Sequence, residues 1–307
     1  VDAAAVDTQI RLAAFAFLDQ WTSIHGELVP RTVLASGFVY QGERVALVGP
    51  QGIFKPAQIR TGIPLTITTA AVVPGRERPY EDEVTEDGLL LYRYRGTDPM
   101  HHENVGLRRA MAGCVPLVYL HGITTGSYLP QWPVYVVADD PASLAVTVAV
   151  DDPRAIRPDL AIEAADEARR RYVTRLALHR LHQVAFRQRV IRAYQQSCAL
   201  CRLRHPELLD AAHILPDGHP LGEPVVPNGL ALCKLHHAAF DRNILGIRPD
   251  LVVEVRQDIL DEVDGPMLRH GLQELNGKPL VVVPRLAVQR PNPDNLEERY
   301  ELFRRTG

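Results

Sequence analysis

Cysteine is scarce in this chain: four in 307 residues, three of them between positions 198 and 233 and the fourth, Cys114, alone. So few, so clustered, they exclude a disulfide framework and suit a metal site in a reducing compartment, so a cytoplasmic location is expected. No apolar run approaches the roughly 18 residues needed to cross a bilayer, and no membrane is expected as a partner. The opening "VDAAAVDTQIRLAAFAFLDQW" lacks the basic-then-apolar order of a signal peptide and reads as an amphipathic helix. No internal repeat is present. Proline and glycine are missing from 160 to 196, and Asp and Glu are missing from 168 to 204. The net charge of −3 argues weakly against nucleic acid, but that acid-free stretch carries ten arginines, a local field suited to a phosphate backbone.

What is present divides along the chain. After its first helix, the region to about 155 is strand-rich. The runs "GFVYQGERVALVGPQGIF", "IPLTITTAAVV", "GLLLYRYRG", "VPLVYLHGI" and "WPVYVVADD" are short, apolar or β-branched, and bounded by Gly and Pro. Short strands with few helices between them predict a curled sheet or small barrel. "DDPRAIRPD" has linker composition, and the span from Leu160 to Gln196 turns helical. Beyond the cysteines, "GIRPDLVVEVRQDIL" reads as a strand. "NGKPLVVVPRLAVQRPNPDNLEERYELFRR" reads as a strand, a Pro-rich turn and a closing helix.

The densest chemistry lies between Cys198 and Asn243, which holds five of the twelve histidines. Cys198-x-x-Cys201 and Cys233-x-x-His236 have the spacing of two metal-binding knuckles, and four N/S ligands suit tetrahedral zinc. With no open position left, that zinc is expected to be structural. His213, Asn228 and His237 remain. "LLDAAHILP" reads as a strand carrying His213, "PNGLALC" as a loop holding Asn228, and "CKLHHAAFDRN" as a helix start. Adjacent residues on a helix point about 100° apart, so His236 can serve zinc while His237 faces another centre.

His213, Asn228 and His237, framed by the two knuckles, resemble the HNH (ββα-metal) endonuclease motif in its zinc-stapled form, over roughly residues 198–245. The resemblance implies that His213 is the general base on the attacking water and that His237 ligates a divalent cation (Mg2+, Mn2+, Co2+ or Ni2+). It implies that Asn228 braces the loop and orients His213. Many members place an acidic metal ligand just before the general base, where this chain has Ala212. Asp210 is the expected second ligand, with Asp241 or Asn243 as alternatives. Arg187, Arg189, Arg192 and Arg242 are the candidate grips on DNA phosphate.

The stretch "PYEDEVTEDGLLLYRYRGTDPMHHENVGLRRAMAGCVPLVYLHGI" pairs acids with Tyr80, Tyr92 and Tyr94, followed by Asp98 and Asn104. It resembles the SRA domain, a PUA-like reader of modified cytosine, over about 30–150. SRA joined to HNH is the layout of a family of modification-dependent (type IV) restriction endonucleases. That resemblance implies a fold of the α+β class. An SRA/PUA-like curved β-barrel would occupy 1–155, a basic linker helix 156–196, and a zinc-stapled ββα-metal domain 197–307. A flipped base would stack on aromatic faces and offer its N4 amino group to a carboxylate. Tyr80 and Tyr94 are the expected walls, with Asp82 and Glu83 as acids, while Asp98 and Asn104 shape the loop. The implied partner is double-stranded DNA carrying 5-methyl- or 5-hydroxymethylcytosine, cut by a homodimer. A modification-independent nicking enzyme and a catalytically silent DNA-binding module are the competing expectations.

Overall fold

A computed structural model describes residues 2–71, 83–84, 89–151 and 165–306. The chain forms two compact units, 1–181 and 182–307.

In the first unit, helix α1 (Ala3–His25) starts where the Asp2 carboxylate accepts the Ala4 N–H. Its inner face buries Ile10, Ala14, Phe15 and Leu18, the i, i+4 spacing of an amphipathic helix. Two charged residues on that face are also buried, and both are satisfied. Arg11 donates to the carbonyls of Pro64, Pro116 and Ile63, and the Asp7 carboxylate accepts from the N–H groups of Arg60 and Thr61. They tie the 59–65 segment to the helix. The core continues through Val29, Leu34, Val45, Leu47, Leu65, Val118 and Leu120.

Among the described residues the sheet has eight strands: β1 (Val29–Pro30), β2 (Ile53–Phe54), β3 (Thr66–Thr69), β4 (Glu83–Val84), β5 (Leu90–Arg93), β6 (Leu117–Thr124), β7 (Ser127–Asp140) and β8 (Ala145–Val150). Their order is β2-β3-β6-β7-β8-β5-β4, with β1 on β7. Among the described residues only β3 and β6 pair in parallel. The sheet curls as a half-barrel, as the sequence led one to expect. Strand β8, "AVTVAV", was not anticipated, although it lies between β7 and β5 in the sheet. Helix α2 (His102–Ala112) precedes β6, and its Asn104 is fully buried. The Asn104 amide donates to the carbonyls of Arg95 and Asp98 while its oxygen accepts the Arg95 N–H, so it shapes the turn as expected.

Helix α3 (Ala165–Ala193) carries the arginine-rich segment, and the unit boundary at 181/182 falls within it. In the second unit its last turns bury Phe186, Val190 and Ile191. A hairpin of β9 (Leu209–His213) and β10 (Gly229–Cys233) follows, then helix α4 (Lys234–Asp241). The strand–strand–helix order matches the ββα expectation, with one correction: "GLALC" is a fully buried strand, not a loop. A short continuous apolar run gives no period to read. β11 (Leu245–Ile247) pairs with β12 (Val253–Val255), and α5 (Pro293–Arg304) closes the chain under an Asn292 cap.

"PLVVVP", expected as a strand, makes only a single bridge, Val252 to Pro279. Prolines at 279 and 284 withhold donors. The N–H groups of Val281 and Val282 go to the Ala199 carbonyl and that of Leu280 to Leu251, so the run crosses the core irregularly.

The hairpin register sets Gly229 opposite His213. A Cβ at 229 would meet Val190 Cγ2 at 2.4 Å and Phe186 Cζ at 2.9 Å. The missing side chain is what lets α3 lie this close. Gly229→Ala should destabilise the second unit by about 1–3 kcal/mol through overpacking. A lower urea midpoint checks this, and an unchanged midpoint would refute it.

Candidate active site: a zinc-stapled hairpin and helix

Cys198, Cys201, Cys233 and His236 offer ligand atoms that all lie within 4.8 Å of one another. The Cys198 and Cys233 sulfurs are 3.4 and 3.2 Å from His236 Nδ1, and the Cys201 and Cys233 sulfurs are 4.0 Å apart. A tetrahedron with Zn–S bonds of about 2.3 Å has edges near these lengths, so the donor set fits zinc. His236 Nε2 lies 2.7 Å from the Gly271 carbonyl oxygen. That bond fixes the proton on Nε2 and points a bare Nδ1 at the sulfurs, the usual outer support of a metal-bound imidazole. Hydrogen bonding to Cys198 pulls the Cys233 thiol down and pushes the Cys201 thiol up. All four ligands were legible in the sequence; the Gly271 carbonyl was not, because a backbone acceptor 35 residues away leaves no local signature.

His237, one position on, turns away from this cluster as the helical 100° step requires. Its Nδ1 is 3.5 Å from Asp210 Oδ2, and its Nε2 is 3.3 Å from Asp241 Oδ2. A carboxylate therefore stands on each side of one imidazole. Nitrogen and carboxylate oxygen donors suit Mg2+, Mn2+, Co2+ or Ni2+, with His237 and either Asp210 or Asp241 able to hold such a cation. Asp210 is anionic: burial raises its pKa, but Lys234 and His237 together bring it below the ordinary value.

His213 ends β9. Its ring stacks on Phe186 at 4.1 Å between centroids and 23° between planes. Its Nε2 is closed off from solvent, and among the described residues no group hydrogen-bonds to it. Burial lowers its pKa, the charges of Asp217 and Asp241 oppose this, and His237 adds to it, for a net fall below 6.5. A neutral imidazole with an uncommitted nitrogen is the form a general base requires.

Asn228 is buried between the strands. Its Oδ1 accepts the Leu215 N–H at 3.0 Å, and its Nδ2 donates to the carbonyls of Leu215 and Glu223. Its backbone carbonyl accepts the Ile214 N–H. Three of these four bonds hold the two residues that follow His213, and the fourth ties in Glu223. Asn295 of α5 adds a fifth by donating to Oδ1, a partner no sequence pattern announced.

The arginines separate. Arg187 donates to the carbonyls of Pro206 and Leu209 and lies 3.5 Å from Asp210, while Arg189 donates to Pro224. Both are engaged within the protein. Arg192 and Arg242 are exposed. In the first unit Tyr94 is buried, and its hydroxyl donates to Asp139, with burial first and then Asp139 raising its pKa to about 12. Tyr80 and Asp82 lie outside the described residues, and Glu83 sits in β4 opposite Leu91.

Residues 198–248 match the family model described as HNH endonuclease. This segment is an HNH endonuclease domain. No curated protein matches the chain in sequence. One solved structure similar to it is a "Modification dependent TagI restriction endonuclease", at 16% identity over 82% of this chain and 85% of that one, with a TM-score of 0.29. Another is the "Type IV phosphorothioation-dependent restriction endonuclease ScoMcrA", at 17% identity over 81% of this chain and 59% of that one, with a TM-score of 0.23. The HNH segment contains the four-ligand cluster, His213, Asn228, His237 and both neighbouring carboxylates. No helix among the described residues is long and apolar enough to cross a membrane.

Proposed function

We propose that the protein is a modification-dependent DNA endonuclease. Its first unit, SRA-like, reads a flipped 5-methyl- or 5-hydroxymethylcytosine in duplex DNA, and its HNH domain hydrolyses a phosphodiester nearby. The observation that carries the nuclease reading is His213: a stacked, neutral imidazole whose Nε2 is uncommitted, lying with His237 inside a matched HNH segment. His213 takes the proton as water oxygen bonds to phosphorus and the P–O3′ bond breaks, and the departing O3′ takes a proton from solvent water, leaving a 5′ phosphate and a 3′ hydroxyl. Asn228 keeps the His213 loop in register. A divalent cation held by His237 with Asp210 or Asp241 would neutralise charge on the phosphate and the departing oxygen. Exposed Arg192 and Arg242 grip the backbone, with Arg187 and Arg189 released to it only if they leave their protein partners. The zinc holds the hairpin to the helix. One such centre cuts one strand per visit, so a double-strand break calls for a homodimer.

The reader is supported by the sequence resemblance, with Tyr80, Asp82, Glu83 and Tyr94 as its pocket. The burial of Tyr94 favours a second reading, in which the first unit serves another purpose and the enzyme nicks without regard to modification. Digesting one plasmid with and without cytosine methylation, in Mg2+, Mn2+, Co2+ and Ni2+, decides between them. Cleavage confined to the methylated plasmid is expected. Equal cutting rejects the reader, and no cutting in any metal leaves a silent DNA-binding module.

A further inference from the structure

Asp210 has a third partner that the nuclease chemistry leaves unused. Lys234 Nζ lies 2.5 Å from Asp210 Oδ2, the same oxygen that faces His237 Nδ1 at 3.5 Å, and Arg187 Nε approaches the other oxygen at 3.5 Å. Lys234 is the first residue of α4, where the helix dipole disfavours a positive charge. Nothing local rewards a lysine there; Asp210 does. The register explains the meeting: Asp210 pairs with Leu232 across the hairpin, and the chain turns into α4 two residues later.

The ammonium thus lies where a divalent cation using Asp210 Oδ2 and His237 would have to approach. The two cannot share the oxygen, since a +1 and a +2 charge a few ångströms apart repel strongly even at surface dielectric. Lys234 is able to yield. Its side chain is 59% exposed, and a lysine ammonium on a four-carbon stem is a mobile point charge, unlike the planar fork of Arg187.

We propose that Lys234 is an exchangeable counterion of Asp210: it holds the carboxylate in place in the metal-free enzyme, and the incoming catalytic cation displaces it. This rests on the reading that Asp210 serves the cation. Metal affinity is therefore set by a competition built into the site, and Lys234 is a positioning residue rather than a catalytic one.

Calorimetric titration of Mn2+ into the zinc-loaded full chain, without DNA, tests this apart from activity. Lys234→Met keeps the stem and removes the charge, and should tighten Mn2+ binding about tenfold. Lys234→Arg keeps a charge and should bind within about twofold of the wild type or more weakly. Asp210→Asn should weaken binding, and adding Lys234→Met to it should then change nothing, because the competition has no site. If Lys234→Met binds no tighter while Asp210→Asn binds more weakly, the counterion role is wrong and Asp210 remains a ligand. If Asp210→Asn binds like the wild type, the ligand assignment falls and the counterion role with it. A thermal melt of each variant confirms that the fold is retained; if Lys234→Met does not fold, Lys234→Gln takes its place with the same expected tightening.

Discussion

His213→Ala should reduce strand cleavage by about 10²–10⁴-fold, the range a lost general base spans, while leaving DNA binding and the fold in place. The stability half of this expectation follows from the site itself. Removing the ring forfeits its stack on Phe186, worth about 0.5–1.5 kcal/mol, but also removes a buried nitrogen with no hydrogen bond, a penalty of about 1–3 kcal/mol. The two offset, so the urea midpoint should move little. A residue held for structure would show the reverse, with stability falling along with rate. The pH profile adds a second check. The base must be unprotonated, so the rate falls as pH drops through its pKa, and burial places that acidic limb below the ordinary histidine value of 6.5. Cleavage by His213→Ala at the wild-type rate would remove His213 from the chemistry.

Legibility in the sequence followed the range of the interaction. The zinc ligands come in two C-x-x-C/H pairs, and short spacers impose a local geometry that the letters display. The division of labour between His236 and His237 needed only the helical repeat, and the two side chains do face different centres. Strand β10 was hidden because both its faces are buried, which erases the alternation that marks a strand. Strand β8 has clear β-branched character in "AVTVAV", but it abuts the Pro- and charge-rich segment just beyond it. The supports of the site were the least legible. Phe186 is one of two Phe or Tyr residues in an arginine-rich helix, Gly229 matters through a neighbour 43 positions earlier, and Asn295 meets Asn228 across 67 residues. Nothing in the sequence around Lys234 points to Asp210, and only the hairpin register brings the two together.

Removing the zinc should unfold the second unit and leave the first. The reason is where the ligands sit. Cys198 and Cys233 are buried, and Ala199, one of the two residues between the first two cysteines, donates to the Ala231 carbonyl and accepts from Val281 and Val282. The zinc loop thereby joins β10, α4 and the C-terminal crossing at one point. Structural zinc contributes on the order of 10 kcal/mol in small zinc domains, comparable with the whole of about 5–15 kcal/mol that keeps an ordinary domain folded. The core around Phe186, Val190, Tyr194 and Leu232 is real but lies against that same loop, so it cannot hold once the metal cross-link is gone and the loop lifts. Calorimetry of the chelated chain should lose one of two thermal transitions, and Cys198→Ser should reproduce the loss. The order of adding metals back separates staple from chemistry. Mn2+ alone should restore nothing to the chelated enzyme, whereas Zn2+ followed by Mn2+ should restore cleavage, because His213 lies on the hairpin and His237 on the helix that the four-ligand cluster holds together. Cleavage by the zinc-free chain with Mn2+ alone would mean that the four-ligand cluster is dispensable and that the hairpin carries its own stability.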